Sequence, residues 1–210
     1  MPIRDTVARR SNYEETLDFF PTPAYATRAL FEYVMDEDHN LGAESMWDPA
    51  AGAGHMCRVF EEYQPNGLFA SDIKDYGRYS KVEELSIRDA VMEGRHADHI
   101  ITNPPYADMA DFVDYGLRAS KKTLSLLTRI QFLEGQKRYK KIFDVRPPTT
   151  VAVFSDRIPF KQNVTTKKVS KMFTHCWVHW DHHHTTDHTK LIWLPPDILD
   201  KLEKDGDWDE

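Results

Sequence analysis

The residues best suited to chemistry form the tetrapeptide Asn103-Pro104-Pro105-Tyr106, which follows the apolar run at 99–102. This run of β-type residues predicts a strand that carries Asn103 to the carboxyl edge of a sheet, where open α/β sheets bind ligands. The two prolines have fixed φ angles and no backbone N–H, so they stiffen the turn and leave carbonyl acceptors. The amide oxygen of Asn103 and a nearby carbonyl can grip one NH2 group, while Tyr106 offers a ring for stacking. The pattern is typical of a site that holds a flat, amino-bearing group during alkylation of its nitrogen.

A loop of small residues, Asp48 to Gly54, lies between a predicted strand and a predicted helix. Glycine and alanine allow the backbone to approach a ligand closely, and the N-terminus of the helix faces that ligand. The order of strand, loop and helix favours a nucleotide-type site. A second strand at 67–71 ends at Asp72, at about the 20-residue distance from the loop where dinucleotide folds place a ribose-binding carboxylate. This spacing favours a ribose role for Asp72 over that of a surface acid.

Two further positions allow both a structural and a ligand-binding interpretation. Thr22 and Pro23 predict a helix start, as N-cap and first-turn residue, whose free N–H groups also suit a carboxylate. Asp89 lies in a charged stretch, where it could accept a hydrogen bond from an adenine amino group or cap a helix. The residues alone do not decide between these roles.

The composition bounds the protein class. A chain of 210 residues that is 40% hydrophobic can bury one ordinary core. It has no apolar run long enough to span a membrane and no signal-peptide pattern, so a cytoplasmic location is expected. The two cysteines lack metal-type spacing, and the histidines at 182–188 are interpreted as an exposed hairpin loop rather than a zinc site. No metal site is predicted.

The charge is distributed unevenly along the chain. The net charge is −7, yet residues 111–171 contain 14 lysines and arginines against five acidic residues, a net +9. A polyanion could dock on such a block despite the acidic total. At 137–141 cations alternate with an aromatic residue, a composition suited to phosphates and stacked bases. The candidate nucleic-acid contacts are Lys137, Arg138, Lys140, Lys141, Lys161, Lys167 and Lys168.

The order of the elements predicts the fold class. Strands alternate with helices and the last two strands suggest a closing hairpin, which indicates one doubly wound α/β domain with an antiparallel finish. The predicted organisation is a polar N-terminal arm at 1–16, the domain at 17–196, and a short helix with an acidic, disordered tail at 197–210.

Three motifs together carry a resemblance to a known family. Their order is Phe20-Pro21-Thr22-Pro23, then the loop at 48–54, then the tetrapeptide at 103–106. This order resembles that of the gamma group of S-adenosylmethionine-dependent N6-adenine DNA methyltransferases, in particular their small phage or prophage members. The resemblance implies a Rossmann-like, seven-stranded, mostly parallel sheet whose last strand is antiparallel, with S-adenosylmethionine at its carboxyl edge.

The resemblance also implies roles for individual residues. The tetrapeptide would hold a flipped-out adenine in DNA, with both amino protons accepted by Asn103 and the Pro104 carbonyl. Asp72 would bind the ribose of the cofactor and Asp89 its adenine amino group. The implied cofactor-binding positions are Phe20, Thr22, Pro23, Asp48, Ala50, Gly52, Gly54, Asp72, Asp89 and Asn103.

Several alternatives stay open at this point. Full-length gamma enzymes carry a large C-terminal recognition domain, whereas only a short tail follows the last predicted strand here. Sequence recognition would then come from the basic loops at 132–146 and 157–171, from a partner subunit, or from nothing. The partners expected are DNA, with RNA as an alternative, and a separate specificity subunit or a homo-oligomer. A protein glutamine methyltransferase also uses Asn-Pro-Pro-Tyr on a planar amide. A third alternative is a catalytically inactive methyltransferase fold that serves as a binding subunit.

Overall fold

The computed structural model describes residues 21–35, 39–161, 169–170, 173–184 and 187–207, and their central feature is an eight-stranded sheet. Its strands are β1 (Ser45–Asp48), β2 (Gly67–Asp72), β3 (Val82–Glu84), β4 (Ala97–Thr102), β5 (Ser120–Arg129), β6 (Thr150–Phe154), β9 (His175–Asp181) and β10 (Lys190–Leu194). A separate antiparallel pair consists of β7 (Phe160–Lys161) and β8 (Val169–Ser170). Some positions named from the sequence lie outside the described residues: the arm at 1–16, Phe20, Lys167, Lys168 and the side chain of Lys161.

The strand order across the sheet is β3-β2-β1-β4-β5-β9-β6-β10. Every neighbouring pair is parallel except the two made by β9, which runs antiparallel to β5 and to β6. The prediction of a doubly wound, Rossmann-like, mostly parallel sheet is therefore confirmed, and the antiparallel strand is the penultimate one, β9, rather than the last.

Two details of that prediction are wrong. The sheet has eight strands rather than seven, and the last two do not form a hairpin, because β10 pairs in parallel with β6, which separates it from β9. Every residue of β9 is buried, which suits a strand with neighbours on both sides. On β10, Leu191 and Trp193 are exposed on one face, as an edge strand allows.

Six helices accompany the sheet in the part of the chain that is described. They are α1 (Ala24–Tyr33), α2 (His55–Glu62), α3 (Ile87–Met92), α4 (Met109–Ala119), α5 (Gln136–Arg138, continued by a π-helical turn at Tyr139–Phe143) and α6 (Ile198–Leu202). None of the described helices is both long and apolar enough to cross a lipid bilayer.

The helices cover the sheet on two faces, each with its own core. α1, α2 and α6 pack on one face, and α3, α4 and the turn around Ile142 pack on the other. Alternate residues of β9 serve the two cores: Trp177 belongs to the first and Val178 to the second. The buried Trp177 indole N–H donates to the Ala26 carbonyl at 2.8 Å, which fixes α1 against the sheet.

Helix α1 begins one residue later than its sequence signals suggest. Pro23 occupies the N-cap position and no side chain caps the helix, so the prediction that Thr22 is the N-cap is wrong. The Thr22 hydroxyl instead accepts a hydrogen bond from Asn103, 81 residues away in the chain. A tertiary contact has replaced the local one.

A buried guanidinium joins α1 to the C-terminal segment. Arg28, whose side chain is 5% exposed, binds Glu62 and Asp207 at 2.6 Å each and donates to the Leu202 carbonyl at 2.7 Å. Asp207 belongs to the acidic tail, so the expectation that this tail is disordered is wrong for Asp207. Burial raises the pKa of the Asp207 carboxyl, but the hydrogen bonds from Arg28 outweigh burial and hold that pKa below its usual value.

This contact predicts a pH-dependent loss of stability in Asp207→Asn. We expect the variant to lose about 2 kcal/mol of unfolding free energy at pH 7, because Arg28 keeps only one carboxylate partner. Since the pKa of Asp207 is lowered in the folded protein, its contribution is present above the unfolded value and disappears as the pH falls below about 4. Urea denaturation at several pH values measures the difference. The exposed Asp205→Asn is the matched control, and an equal loss in both variants would contradict the proposed contact.

Candidate active site

A cavity of about 340 Å³ opens at the carboxyl edge of the sheet, between the turns that follow β1, β2 and β4. These strands are parallel, so their C-terminal ends reach the same edge. Nine of the residues singled out from the sequence border this one space. They are Thr22, Asp48, Ala50, Gly52, Asp72, Asn103, Pro104, Pro105 and Tyr106.

The small-residue loop forms one wall of the cavity. Gly52 (φ 53°) and Gly54 (φ 79°) both adopt left-handed backbone conformations, which side chains with a Cβ disfavour. At Gly54 a Cβ would lie 2.3 Å from the ring of Tyr79, so glycine is also required sterically. Gly54 therefore shapes the loop from behind and does not border the cavity, whereas Gly52 does.

Asp72 is fixed by backbone donors at the end of β2. One carboxylate oxygen accepts the Gly52 N–H at 2.8 Å and the other accepts the Lys74 N–H at 3.2 Å. Burial raises the pKa of this carboxyl, although these hydrogen bonds act in the opposite direction. The side chain thus joins the glycine loop to the turn after β2 and presents a preoriented acceptor to the cavity.

Asp48 is the second carboxyl at this edge and is 1% exposed. Its Oδ1 accepts the Ala50 N–H at 3.1 Å, which holds the side chain across the start of the loop. Burial is the main reason that the pKa of Asp48 rises to about 7, and the nearby charge of Asp72 adds to the rise. A cationic group in the cavity would favour the ionised form.

The amide of Asn103 is oriented by a hydrogen bond. Its Nδ2 donates to the Thr22 hydroxyl oxygen at 3.0 Å, and both residues border the cavity. With the NH2 group engaged, the opposite side of the amide is its carbonyl oxygen, Oδ1, an acceptor. The turn beyond is held in an extended conformation at Pro105 (φ −55°, ψ 131°) and then enters a 3₁₀ turn at Tyr106–Asp108.

Arg129 and His175 both contact Tyr106, one at its ring and the other at its hydroxyl. The Arg129 guanidinium lies 4.0 Å from the Tyr106 ring centroid and 3.8 Å from that of Phe173, so it is stacked between two rings. The Tyr106 hydroxyl lies 3.1 Å from Nε2 of His175. Burial, with a smaller effect of Arg129, lowers the pKa of His175 to about 4, so this histidine is neutral at pH 7.

Several cavity residues were not named as site residues from the sequence, although Pro21, Pro49 and Ala51 belong to the motifs at 20–23 and 48–54. The further lining residues are Pro21, Pro49, Ala51, His55, Met56, Ile73, Tyr76, Ala107, Asp108 and Phe112. Ile73 had a signal in the sequence, because it is a large apolar residue directly after the strand-end acid Asp72. In the structure it is 57% exposed, so its side chain can cover a flat ring. His55 and Met56 face the cavity because α2 starts there, which the glycine loop also indicates.

Other predicted residues lie away from the cavity. Pro23 is the N-cap of α1, and Asp89 does not line the space. The Asp89 backbone N–H donates to the Ser86 hydroxyl at 3.1 Å, and its carboxylate accepts from that hydroxyl at 2.7 Å. Ser86 is therefore the N-cap of α3, and Asp89 is the first-turn residue that is bonded to it, so Asp89 belongs to a helix start although it is not the cap itself.

The basic segment at 137–141 begins eight residues after the end of β5. The Arg138 guanidinium lies 5.7 Å from the ring centroid of Phe132, which is three residues beyond the carboxyl end of that strand, so the segment starts near this edge of the sheet. Lys137, Lys140 and Lys141 are exposed. Arg138 is half-buried, because its Nε donates to the Glu134 carbonyl at 3.0 Å. The three lysines are thus available to a ligand at this edge, whereas Arg138 also has a structural contact.

Comparisons with known proteins address the fold. No family model matches the chain, and no curated protein sequence matches it significantly. Among solved structures, a protein from Pyrococcus horikoshii provisionally assigned as an RNA methyltransferase superposes with a TM-score of 0.57 at 14% identity, covering 79% of this chain and 88% of the other. A protein from Listeria monocytogenes provisionally assigned as a class I S-adenosylmethionine-dependent methyltransferase gives a TM-score of 0.55 at 13% identity, covering 85% and 67%.

A third similar structure carries a different name. A protein from Lactococcus lactis provisionally assigned as a hemolysin superposes with a TM-score of 0.53 at 12% identity, covering 85% of this chain and 95% of the other. At these identities the likeness shows the fold, which is that of class I methyltransferases. The chemistry must be argued from the site itself.

The buried Asp48 predicts a distinctive pH dependence of stability in the ligand-free protein. Its pKa is raised in the folded state, so the folded protein binds more protons than the unfolded chain between about pH 4 and 7, and stability falls as the pH rises through this window. Asp48→Asn keeps the Oδ1 acceptor for Ala50 and removes the charge. We expect the variant to gain up to a few kcal/mol, roughly 2–4, relative to wild type between pH 5 and pH 8.

Urea denaturation at both pH values measures this effect. The exposed Asp75→Asn serves as the control for a general charge effect. A wild-type-minus-variant difference that does not change with pH would contradict the raised pKa of Asp48.

Proposed function

We propose that this protein transfers a methyl group from S-adenosylmethionine to the exocyclic N6 amino group of adenine in DNA. The observation that carries the proposal is the hydrogen bond from Asn103 Nδ2 to Thr22, within a cavity that also contains Asp72 and the glycine loop. It leaves the amide oxygen of Asn103 as an acceptor for a target amino group, next to a space suited to a nucleoside.

The residues present fit the cofactor. Gly52 adopts a conformation that brings backbone close to the cavity, Asp72 supplies a fixed acceptor for ribose hydroxyls, and the exposed Ile73 can cover an adenine ring. When bound, S-adenosylmethionine supplies an electrophilic methyl group on a sulfonium. Asp48 and Asp72 place negative potential beside this cationic group, which favours its binding.

The tetrapeptide would position the target nitrogen. An adenine amino nitrogen is a poor nucleophile because its lone pair is delocalised into the ring. Asn103 Oδ1 and the Pro104 carbonyl, by accepting both protons, would favour a pyramidal nitrogen with an exposed lone pair and align it for in-line attack. The nitrogen–carbon bond forms as the sulfur–carbon bond breaks, and the resulting ammonium releases its proton to water.

Nucleic acid is favoured over protein as the substrate by the position of the basic segment. Lys137, Lys140 and Lys141 are exposed and follow the strand whose end, Arg129, stacks on Tyr106. A flipped adenine requires the flanking phosphates to be held near the cavity, and cations at the same edge can hold them. A glutamine side chain in a protein has no comparable use for this charge. RNA shares the phosphate chemistry and is separated from DNA by the assay below.

The first test uses the full-length protein and S-adenosylmethionine labelled in its methyl group. Unmethylated DNA, RNA and a protein extract are offered separately, and labelled products are identified by mass spectrometry. We expect N6-methyladenine in DNA. Label in RNA alone would change the substrate, label in protein glutamine would support the alternative methyltransferase, and bound cofactor without transfer would support an inactive binding subunit.

Two variants separate target positioning from cofactor binding. Asn103→Ala should lower the rate of methyl transfer by about 100-fold or more while cofactor binding is retained, because it removes the acceptor for the target amino group. Asp72→Asn should instead weaken cofactor binding, because it removes the charge of a preoriented acceptor. Isothermal titration with S-adenosylmethionine and the transfer assay give the two readouts.

The exposed Asn66→Ala is the control for an asparagine substitution. The assignment of Asn103 would be wrong if Asn103→Ala lost cofactor affinity and kept normal turnover of bound cofactor.

The basic segment predicts the salt dependence of DNA binding. The triple variant Lys137→Gln, Lys140→Gln, Lys141→Gln should bind DNA more weakly and reduce the slope of log affinity against log salt by up to about 3, since each phosphate contact contributes about 0.9. Arg138 is left unchanged because of its contact with Glu134.

Fluorescence anisotropy with a labelled duplex at several salt concentrations measures this slope. The control is Lys190→Gln, an exposed lysine at the start of β10 and so at the opposite edge of the sheet. An unchanged slope in the triple variant would show that the lysines form an ordinary solvated surface.

A further inference from the structure

A second group of polar side chains lies at the amino edge of the sheet, opposite the cavity. Met46 on β1 pairs with His99 on β4, His99 pairs with Thr123 on β5, and Thr123 pairs with Asp181 on β9. Glu44 directly precedes β1 and reaches into this row. His99, Glu44 and Asp181 are all buried, so the row places titratable groups in the interior.

Three of these side chains converge on one point. Nε2 of His99 lies 2.5 Å from Glu44 Oε2, and Nδ1 of His39 lies 3.8 Å from that same oxygen. One donor atom from each of His39, Glu44 and His99 lies within 4.8 Å of the others. Ligands on a tetrahedral ion with bonds of about 2.0–2.2 Å are about 3.3 Å apart, so only small side-chain shifts are needed to surround one ion.

The ring of His39 is incompletely satisfied where it lies. Its side chain is only 7% exposed, and its Nε2 makes no hydrogen bond within the described residues. That nitrogen faces Asp181 Oδ2 at 3.6 Å, while Nδ1 faces Glu44 at 3.8 Å. A buried imidazole between two carboxylates, at distances too long for hydrogen bonds, leaves room for a further bonding partner.

The surroundings resemble the outer shell of a metal centre. Histidines that bind a metal through one nitrogen usually engage an acceptor through the other. Nδ1 of His99 lies 2.9 Å from the Thr123 hydroxyl, and Nε2 of His39 faces Asp181. Each histidine therefore has one nitrogen toward Glu44 and the other toward an oxygen atom.

The local charge also favours a cation. Glu44 and Asp181 are the two carboxylates at this point, and Lys122 binds the other oxygen of Glu44. Among the described residues the hydrogen-bond partners of the Asp181 carboxylate are the His183 N–H and the His184 ring, rather than a lysine or an arginine. Hydrogen bonds from Lys122 and His99 outweigh burial and lower the pKa of Glu44, so it is ionised at pH 7. Burial lowers the pKa of His99, which keeps its imidazole neutral as metal binding requires.

We propose that His39, Glu44 and His99 form a binding site for a divalent transition-metal ion, with Zn²⁺ as the best match. Two imidazoles and one carboxylate are ligands that suit zinc, iron, cobalt and nickel rather than magnesium or calcium. Binding would separate the His99–Glu44 pair. The proton that His99 Nε2 donates to Glu44 would move to Nδ1, which lies 2.9 Å from the Thr123 hydroxyl and can donate to it, so the ring stays neutral. The fourth ligand position would be open to water.

The position of the site assigns it a structural role. The ion would join the segment after α1 and the segment before β1 to the middle of β4, all on the edge remote from the cavity. It would therefore stabilise the fold without contacting a substrate. The proposal is independent of the methyl transfer proposed above, because its test measures metal content and unfolding rather than activity.

The test uses tag-free, full-length protein that has been stripped with a chelator and dialysed against Zn²⁺. We expect one equivalent of bound zinc by mass spectrometry and a rise in Tm of about 5–10 °C at a free Zn²⁺ concentration 100-fold above Kd. Mg²⁺ at the same concentration should leave the Tm unchanged. His39→Gln should lose the bound zinc and the rise in Tm, and circular dichroism of the metal-free variant checks that it folds.

The exposed histidines provide the matched control. His183→Ala combined with His188→Ala removes two imidazoles from the loop between β9 and β10 and should leave zinc binding intact. Glu44→Gln should weaken zinc binding at least tenfold, as removal of a ligand does. The proposal is overturned if the wild-type protein takes up no zinc, if His39→Gln binds zinc as tightly as wild type, or if the loop variant loses the metal.

Discussion

The parallel alignment of β1, β2, β4 and β5 is the constraint on which the rest of this structure depends. Each parallel strand leaves the sheet at the same edge, so the turns after Asp48, Asp72 and Thr102 meet although they are far apart in the chain. Beyond the ladder, the Ala51 N–H in the turn after β1 still donates to the Ser71 carbonyl of β2 at 3.0 Å. The carboxyl edge is thus the place where loop atoms and buried acids border a common cavity.

Stability and site formation are linked at this edge through helix α1. The Trp177 indole fixes α1 to the sheet through Ala26, and the residue that precedes the helix by two positions is Thr22, the partner of Asn103. Arg28, two residues beyond Ala26 on α1, joins the helix to Glu62 and Asp207. The amide of Asn103 is therefore oriented by a helix that is itself held at three points. This arrangement preorganises an acceptor before any ligand arrives.

The sequence predicts features that depend on neighbouring residues better than those that depend on distant ones. Apolar runs that end at Asp48, Asp72 and Asn103 indicate strand ends, and the strand ends lie where they were expected. The local pattern at Thr22 predicts a helix N-cap, but the Thr22 hydroxyl accepts a hydrogen bond from Asn103 instead. The predicted hairpin of β9 and β10 is also wrong, because β10 pairs with β6 instead of β9. Whether β10 pairs with β9 or with β6 depends on which strand is buried on both sides. The proximity of His39 to His99 has no local signal at all, since 60 positions separate them in the chain.

The contacts of Tyr106 restrict how a planar substrate could enter the proposed reaction. The Arg129 guanidinium covers one face of the ring at 4.0 Å and is itself held by Phe173, while His175 engages the hydroxyl. At most one face of the ring is left for a flipped base. Because Tyr106 is already ordered by these contacts, little side-chain entropy would be lost when a base stacks on it. In the proposed reaction, the same guanidinium would place a positive charge beside the target base. That charge could neutralise a nearby phosphate in place of solvent cations. Aromatic stacking and charge at this position thus come from a single cluster rather than from separate parts of the chain.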